Sequence, residues 1–390
     1  MADDVEMIAD WRAFTARQAV SGVTPGPGLI SVTWSDGRIS PFHFDWLRDN
    51  CPCRRCVHSL TREQVFEIID APQDLTPTVA SPDAGGLRVV WSDGHESRYD
   101  AGWLRANAYD DVSRAERRTG PPKILWGRGA ELPTFDFADL QADGPGFLNW
   151  MTALRDAGLT LVRNVPVEAE AVMALARRIA FIRETNFGVM FDVESKPKPD
   201  SAAYTGVNLP PHTDLPTREL QPGLQFLHCL ANDAVGGDSV FVDGFAIAQA
   251  LRERHPDDFR ILTTTPMAFW NKDEVTDYRC TAPIFALDEA GEVIEARFAN
   301  FLRGPIDAPA AEMQAIYQAL RRFLELSRDP ALRLVRRLRP GDAWVFDNRR
   351  VLHARTEFDP MTGRRHLQGA YVDRDELVSR IRVLERTLRG

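Results

Sequence analysis

The stretch NLPPHTDLPT, residues 208–217, places His212 and Asp214 two residues apart between prolines. A histidine and an aspartate at this spacing can supply two of the three protein ligands of a mononuclear iron(II) site, which needs two histidines and one carboxylate. The triplet alone is a weak signal, because His-x-Asp also occurs at His43 and at His255. A second histidine must therefore come from a distant part of the chain.

The segment RLRPGDAWVFDNRRVLHARTEF provides the candidate. A Pro-Gly turn precedes the apolar strand AWVF, and His353 follows, 139 residues after Asp214. Arg365 comes twelve residues later in RRHLQGAYVD. Because neighbouring residues on a strand point to opposite faces, only one of Arg364 and Arg365 can face a common pocket. Each histidine alone could be structural. The prediction of an iron site therefore depends on the occurrence of the His-x-Asp triplet, the distant histidine and the arginine in this order.

Three of the five cysteines, Cys51, Cys53 and Cys56, lie together in CPCRRC. Cysteines this close in an intracellular chain favour a metal site over disulfides. A tetrahedral structural zinc needs a fourth ligand. His95 is the preferred candidate. His58 is the alternative, but it lies only two residues after Cys56, so zinc bound to both would close a very tight chelate ring. Three reduced surface cysteines without a metal are the other interpretation.

The same region contains an internal repeat. Residues 31–50 (SVTWSDGRISPFHFDWLRDN) return as residues 88–107 (RVVWSDGHESRYDAGWLRAN), with ten of twenty positions identical. Each copy predicts a strand, an Asp-Gly turn, a second strand and a Trp-Leu-Arg segment. His95 follows the second Asp-Gly turn, so a zinc ion could hold one repeat against the other.

The remainder of the chain combines a few helices with many short strands. Helical patterns occur at residues 147–157, 168–183, 245–254 and 309–327. Strand signals include GLTLVRNVPV, LQFLHCL, DSVFVDG, PMAFW, PIFALD and VIEARFA. The pattern predicts a mainly β fold with flanking helices, in which the larger domain is a double-stranded β-helix, or jelly roll.

A charged, proline-containing stretch at residues 115–130 predicts the domain boundary. We expect a tail at residues 1–20, a small β-rich zinc-binding domain at residues 21–118 and the jelly-roll domain at residues 119–390.

The composition is that of an ordinary globular protein, with 44% hydrophobic residues and a net charge of −9. No basic run indicates nucleic-acid or membrane binding, and no window reaches the roughly 18 apolar residues of a membrane span. The acidic start, MADDVEM, is unlike a secretory signal. We therefore expect a cytoplasmic protein with small-molecule partners.

The order HTD, GGDS, distal histidine and following arginine resembles the iron(II)- and 2-oxoglutarate-dependent oxygenases of the taurine dioxygenase type. More narrowly, FHFDWLRDNCPCRRC and WSDGH resemble the gamma-butyrobetaine and trimethyllysine dioxygenase family, and RETNFGVMFDV and GGDSVFVDGF resemble its bacterial members. The resemblance spans about residues 31 to 386. It implies iron bound by His212, Asp214 and His353, and structural zinc bound by Cys51, Cys53, Cys56 and His95.

The resemblance also implies roles for residues around the iron. Arg365 would bind the remote carboxylate of the cosubstrate 2-oxoglutarate, with Ser239 as a helper. An aromatic cage for a trimethylammonium group would consist of Phe187, Phe191, Tyr204 and Tyr371, for which core packing is the alternative role. The candidates for binding the acid end of the substrate are Asn208, Arg297 and Asn300.

The implied reaction is the hydroxylation of gamma-butyrobetaine to L-carnitine, with O2 consumed and 2-oxoglutarate converted to succinate and carbon dioxide. Ascorbate is expected to sustain activity, and the resemblance favours a homodimer. Ala202 stands where close bacterial relatives are expected to have asparagine. A different acid terminus, such as the phosphonate of 2-(trimethylammonio)ethylphosphonate, is therefore an alternative, and the family resemblance adds trimethyllysine as another alternative substrate. A zinc-stabilised β-sandwich that binds a ligand without catalysis is the alternative of a different class.

Overall fold

The structure is a computed structural model of the chain, and it describes residue 14 and residues 17–83, 86–194 and 206–389. The chain divides into two compact units, Met1–Gly120 and Pro121–Gly390. Most of the predicted tail lies outside the described residues.

The first unit contains two copies of one structural motif, as the repeat predicts. Its elements are β1 (Val20–Gly26), β2 (Leu29–Trp34), β3 (Ile39–His43), α1 (Phe44–Asp49), β4 (Pro77–Asp83), β5 (Gly86–Trp91), β6 (Glu96–Asp100), α2 (Ala101–Asn107) and α3 (Asp111–Arg118). Strands β1-β2-β3 and β4-β5-β6 form two antiparallel sheets. A short helix follows the last strand of each.

The two copies share their detailed contacts. Gly37 and Gly94 take left-handed φ angles of 83° and 81° in the predicted Asp-Gly turns. The indole of Trp34 donates to the Ser40 hydroxyl at 2.9 Å, and the equivalent bond in the second copy, from Trp91 to the Ser97 hydroxyl, is also 2.9 Å. The repeat is therefore a structural duplication.

The second unit contains two large β-sheets with helices on their outer faces, and three two-stranded sheets. Its strands are β7 (Thr134–Asp136), β8 (Leu159–Arg163), β9 (Phe191–Glu194), β10 (Leu209–His212), β11 (Leu224–Asn232), β12 (Val235–Gly236), β13 (Ser239–Asp243), β14 (Met267–Lys272), β15 (Asp277–Ala282), β16 (Phe285–Leu287), β17 (Val293–Ala296), β18 (Arg333–Arg336), β19 (Ala343–Asp347), β20 (Val351–Arg355), β21 (Phe358–Asp359) and β22 (Arg365–Val372). Its helices are α4 (Pro145–Ala157), α5 (Ala171–Ile179), α6 (Gly244–Arg254), α7 (Pro256–Thr264), α8 (Met313–Arg328) and α9 (Arg374–Arg389).

The larger sheet has the strand order β7-β8-β19-β11-β22-β9, and the smaller sheet has the order β10-β20-β13-β18. Apart from the parallel pair β7-β8, the pairing in both sheets is antiparallel. The inner faces share one apolar cluster, in which Phe241 of the smaller sheet contacts Trp344 and Phe346 of the larger. The predicted jelly roll is confirmed.

The outer faces of both sheets are covered by helices. Leu224 and Phe226 of β11 pack in one cluster with α4, α5 and α9, while Val242 and Leu352 of the smaller sheet pack with α6, α7 and α8. Burial of each large apolar side chain contributes about 1.5–3 kcal/mol. Because both outer faces are apolar, polar residues that alternate with them point to the interior between the sheets.

Helices are found at the four predicted positions, although α5 is shorter than predicted. In the second unit the sequence patterns missed α7 and α9, and in the first unit they missed α3. The start of α7 contains Pro256, which suggests a turn but also suits the first helical position, and Asp257 and Asp258 follow in its first turn. Within the described residues, no helix is both long and apolar enough to cross a membrane.

Candidate active site and metal centres

The register between β10 and β20 brings the two distant histidines together. His212 lies directly opposite His353 in this antiparallel pair, and their ring centroids are 4.2 Å apart. Asp214 follows two residues after β10, and its Oδ1 lies 3.3 Å from Nε2 of His212 and 3.6 Å from Nε2 of His353. The three side chains thus offer two nitrogens and one oxygen to a common point.

The environment keeps His353 and Asp214 in the forms that bind a metal. Burial lowers the pKa of His353 to about 3, so its imidazole is neutral. Burial opposes ionisation of Asp214, but electrostatic interactions with His353 and His212 and hydrogen bonds from His212 and Tyr371 outweigh it and hold the pKa of Asp214 below its ordinary value. Neutral imidazole and ionised carboxylate are the metal-binding forms.

Hydrogen bonds orient two of the three groups. Nδ1 of His212 lies 2.9 Å from the carbonyl oxygen of Pro210, a contact in which the ring donates and leaves Nε2 available as a ligand. The hydroxyl of Tyr371 donates to Oδ2 of Asp214 at 2.6 Å. Oδ1 of Asp214 is therefore the oxygen that faces the histidines.

The backbone of Asp214 is held by two fully buried amide side chains. Its N–H donates to Oδ1 of Asn348 at 2.7 Å, and its carbonyl accepts from Asn348 and from Gln221, both at 3.0 Å. The next residue, Leu215, has a φ of 53°, a left-handed conformation that costs a non-glycine residue about 1–3 kcal/mol. The amide contacts offset this strain and fix the loop that carries the carboxylate.

A buried ion pair fixes the turn that leads into β20. Arg350 and Asp243 are both buried, with Nη2 of Arg350 2.8 Å from Oδ2 of Asp243. Arg350 also donates to the carbonyls of Asp156 and Ile124. Removing one partner of such a pair costs about 3–5 kcal/mol, so the pair stabilises the turn before His353.

The candidate ligands line a cavity of about 430 Å³ between the sheets. Ser239, Arg355 and Arg365 line the same cavity. Arg365 is 6% exposed, and burial lowers its pKa to about 10, which leaves it charged at neutral pH. Its Nε donates to the carbonyl of Gly237, and no carboxylate of the described residues forms an ion pair with it. A buried cation of this kind is suited to an anionic ligand.

Arg364 has the opposite orientation. Its side chain is 61% exposed and its Nε donates to Glu194 at 2.9 Å. Of the two adjacent arginines, only Arg365 lines the cavity, as the alternation of a strand requires.

Three of the four predicted cage aromatics line the cavity. Phe191 stacks on Tyr371 with centroids 5.0 Å apart and ring planes at 28°, and Phe187 lies 6.3 Å from Phe191. Tyr204, like Ala202, lies outside the described residues. Phe187, Phe191 and Tyr371 form an aromatic wall, the name used below for this group.

The residues predicted for the acid end of a substrate do not line the cavity. Arg297 is buried and committed elsewhere: it pairs with Glu295 at 2.8 Å and donates to the carbonyls of Pro216, Arg218 and Glu219. Asn208 and Asn300 are exposed and lie outside the cavity lining.

The sequence interpretation missed several polar cavity residues. Arg355 lies on the same face of β20 as His353, so the alternation of a strand could have identified it. Asn186, Asn271 and Lys272 also line the cavity, and no local pattern in the sequence distinguishes them.

The cysteine cluster lies in the first unit. Nε2 of His95 is 3.2 Å from Sγ of Cys51 and 3.6 Å from Sγ of both Cys53 and Cys56, and all four side chains are buried. Arg48 donates to Sγ of Cys56 at 3.3 Å. These four donors could hold a tetrahedral metal ion with no open position.

His58, the alternative fourth ligand, is exposed, and its Nδ1 accepts a hydrogen bond from the backbone N–H of Thr61. It is not a member of the cysteine cluster.

Two histidines and one carboxylate that share a pocket in a jelly roll define a class of protein, the mononuclear non-haem iron oxygenases. Family comparisons agree with this class. The family model "Taurine catabolism dioxygenase TauD, TfdA family" matches residues 117–371, and "Gamma-butyrobetaine hydroxylase-like, N-terminal" matches residues 24–105.

Individual relatives narrow the class. The chain is 56% identical to gamma-butyrobetaine dioxygenase of Pseudomonas sp. (strain AK-1), over 97% of this chain and 100% of the relative. It is 32% identical to trimethyllysine dioxygenase of Meyerozyma guilliermondii, over 91% of this chain and 93% of the relative. The crystal structure of AAD-2 in complex with Mn(II) and N-oxalylglycine shares the fold, with a TM-score of 0.50, 16% identity and coverage of 64% and 97%.

The chain therefore belongs to the TauD, TfdA family of iron(II)- and 2-oxoglutarate-dependent dioxygenases, in the group that contains gamma-butyrobetaine dioxygenase.

Proposed function

We propose that this enzyme hydroxylates gamma-butyrobetaine to L-carnitine. The observation that carries the proposal is 56% identity, over essentially the whole length, to a gamma-butyrobetaine dioxygenase. The identity to a trimethyllysine dioxygenase is 32%, which makes trimethyllysine the weaker candidate.

We assign His212, Asp214 and His353 as the iron ligands. Two observations support a site for iron and 2-oxoglutarate. The three donors converge on one point, and the buried Arg365 guanidinium lies in the same cavity with no ion pair to a carboxylate of the described residues. When bound, the iron supplies the oxidising chemistry, in which 2-oxoglutarate becomes succinate and carbon dioxide and one oxygen atom of O2 enters a substrate C–H bond.

The protein residues then bind and orient the two organic molecules. Arg365 holds the remote carboxylate of 2-oxoglutarate, and Ser239, on the same cavity surface, adds a hydroxyl donor. The aromatic wall accepts the trimethylammonium group, which cannot donate a conventional hydrogen bond. Each aromatic face contributes about 0.5–2 kcal/mol once water is excluded.

For the acid end of the substrate, the polar cavity residues Asn186, Asn271 and Lys272 are better placed than the three residues predicted from the sequence. Their side chains include amide donors and one cation, which suit a carboxylate.

We also propose that Cys51, Cys53, Cys56 and His95 hold a structural zinc ion, since three thiolates and one imidazole are a common structural zinc set. The residue ranges of the domains, the cytoplasmic location, the homodimer and the role of ascorbate stay predictions.

A substrate panel tests the proposed reaction. The holoenzyme is incubated with 2-oxoglutarate, O2 and either gamma-butyrobetaine, trimethyllysine or 2-(trimethylammonio)ethylphosphonate, and products are measured by mass spectrometry. We expect gamma-butyrobetaine to react fastest, with succinate formed in equal amount to L-carnitine. Faster turnover of either other compound, or no turnover of gamma-butyrobetaine, would reject the proposed substrate.

The adjacent arginines provide a matched test of cosubstrate binding. Arg365→Met removes a charge-assisted contact worth roughly 1.5–3 kcal/mol, so the dissociation constant for 2-oxoglutarate should rise about 10- to 100-fold. Arg364→Met, on the opposite face of the strand, should change it less than about twofold. Isothermal titration calorimetry under anaerobic conditions measures both values. Equal weakening by the two substitutions would contradict the assignment of Arg365.

Metal analysis of tag-free protein tests the zinc site. We expect about one zinc ion per chain in the wild type and in Cys280→Ser, whose cysteine lies outside the cluster. Cys53→Ser should lose most of the zinc and become easier to unfold, because a structural metal contributes directly to folding. A full zinc content in Cys53→Ser would refute the ligand set.

A further inference from the structure

The side chain of Tyr371 contacts both the aromatic wall and the candidate metal ligand Asp214. Its ring stacks on Phe191 in the aromatic wall, with centroids 5.0 Å apart. Its hydroxyl donates to Oδ2 of Asp214 at 2.6 Å. One buried residue, 3% exposed, therefore contacts both the proposed substrate surface and a proposed metal ligand.

The two oxygens of Asp214 have different surroundings. Oδ1 faces Nε2 of His212 and of His353, at 3.3 and 3.6 Å. Oδ2 accepts the hydrogen bond from Tyr371. A carboxylate held in this way offers one oxygen to a metal, while its other oxygen accepts a hydrogen bond. If both oxygens bound, the carboxylate would occupy a position that a two-histidine, one-carboxylate site leaves open for other ligands.

The fold fixes the backbone at Tyr371 on both sides and leaves room for its ring to stack. Its backbone carbonyl accepts from the N–H of Arg183 at 2.8 Å, and its strand, β22, pairs with β11 on one side and with β9 on the other. Gly369 precedes it on the same face, and a Cβ there would lie 2.3 Å from the Phe191 ring. Glycine at this position thus allows Phe191 to stack on Tyr371.

We infer that Tyr371 is a positioning residue for the metal centre, whose hydroxyl holds Asp214 in one-oxygen binding while its ring forms part of the aromatic wall. The inference rests on the proposed iron ligands and deepens the proposed function. The side chain then has two roles. Its hydroxyl orients the metal ligand Asp214, and its ring contacts the trimethylammonium group of the substrate.

The substitution Tyr371→Phe separates these roles, because it removes the hydroxyl and keeps the ring. In the zinc-loaded full-length chain, we expect the dissociation constant for Mn(II), measured by electron paramagnetic resonance of free Mn(II), to rise about 10-fold or more, as is common when a partner of a metal ligand is lost. The visible absorption band of the anaerobic iron(II)–2-oxoglutarate complex should shift. The kcat for gamma-butyrobetaine should fall more than tenfold, with KM changed less than about threefold.

Phe191→Leu is the matched control, since it removes a ring of the wall and leaves the hydroxyl contact in place. Its KM should rise, while its Mn(II) dissociation constant should stay within about twofold of the wild-type value. If Tyr371→Phe has wild-type Mn(II) affinity and an unshifted band, or raises only KM, the inference is overturned. The Mn(II) measurement needs no substrate, so it decides the inference even if the panel rejects gamma-butyrobetaine.

Discussion

The pairing of β10 with β20 is the constraint on which the site depends. It sets His212 opposite His353, although the two residues are far apart in the sequence. The next strand, β13, continues the same sheet and places Ser239 opposite Arg355. Because side chains alternate along each strand, one set of strand pairings delivers the candidate ligands and the polar cavity residues to the same interior. A one-residue slip of β20 would turn His353 towards the helices.

The cavity contains buried groups of opposite charge, and burial of either charge alone would cost free energy. Asp214 is stabilised as an anion by the two histidines and Tyr371, whereas Arg365 remains a cation against the effect of burial. Buried charges are expensive unless partners compensate them. An anionic cosubstrate that bridges a metal and an arginine would provide this compensation. The ion pair between Arg350 and Asp243 and the amide contacts of Asn348 hold the turn before His353 and the backbone of Asp214 in position.

Much of this arrangement could be predicted from the sequence because it depends on strong local patterns. The triplet at His212, the strand before His353 and the alternation that selects Arg365 are such patterns. Contacts between distant segments could not be predicted in the same way. No sequence pattern near Asn348 indicates that its side chain forms hydrogen bonds with the backbone of Asp214. Arg297 shows the converse, since an arginine beside the jelly-roll strands suggests substrate binding, but its guanidinium is used by Glu295 and nearby backbone carbonyls.

The central claim is that two histidines and one aspartate from separate segments bind one iron ion and leave room for 2-oxoglutarate. Anaerobic titration of iron(II) with 2-oxoglutarate, followed by visible absorption, tests it most directly. The wild type should develop a metal-to-ligand charge-transfer band that saturates at about one iron per chain, and His212→Ala and His353→Ala should not develop it. A band of unchanged intensity in His353→Ala would contradict the account.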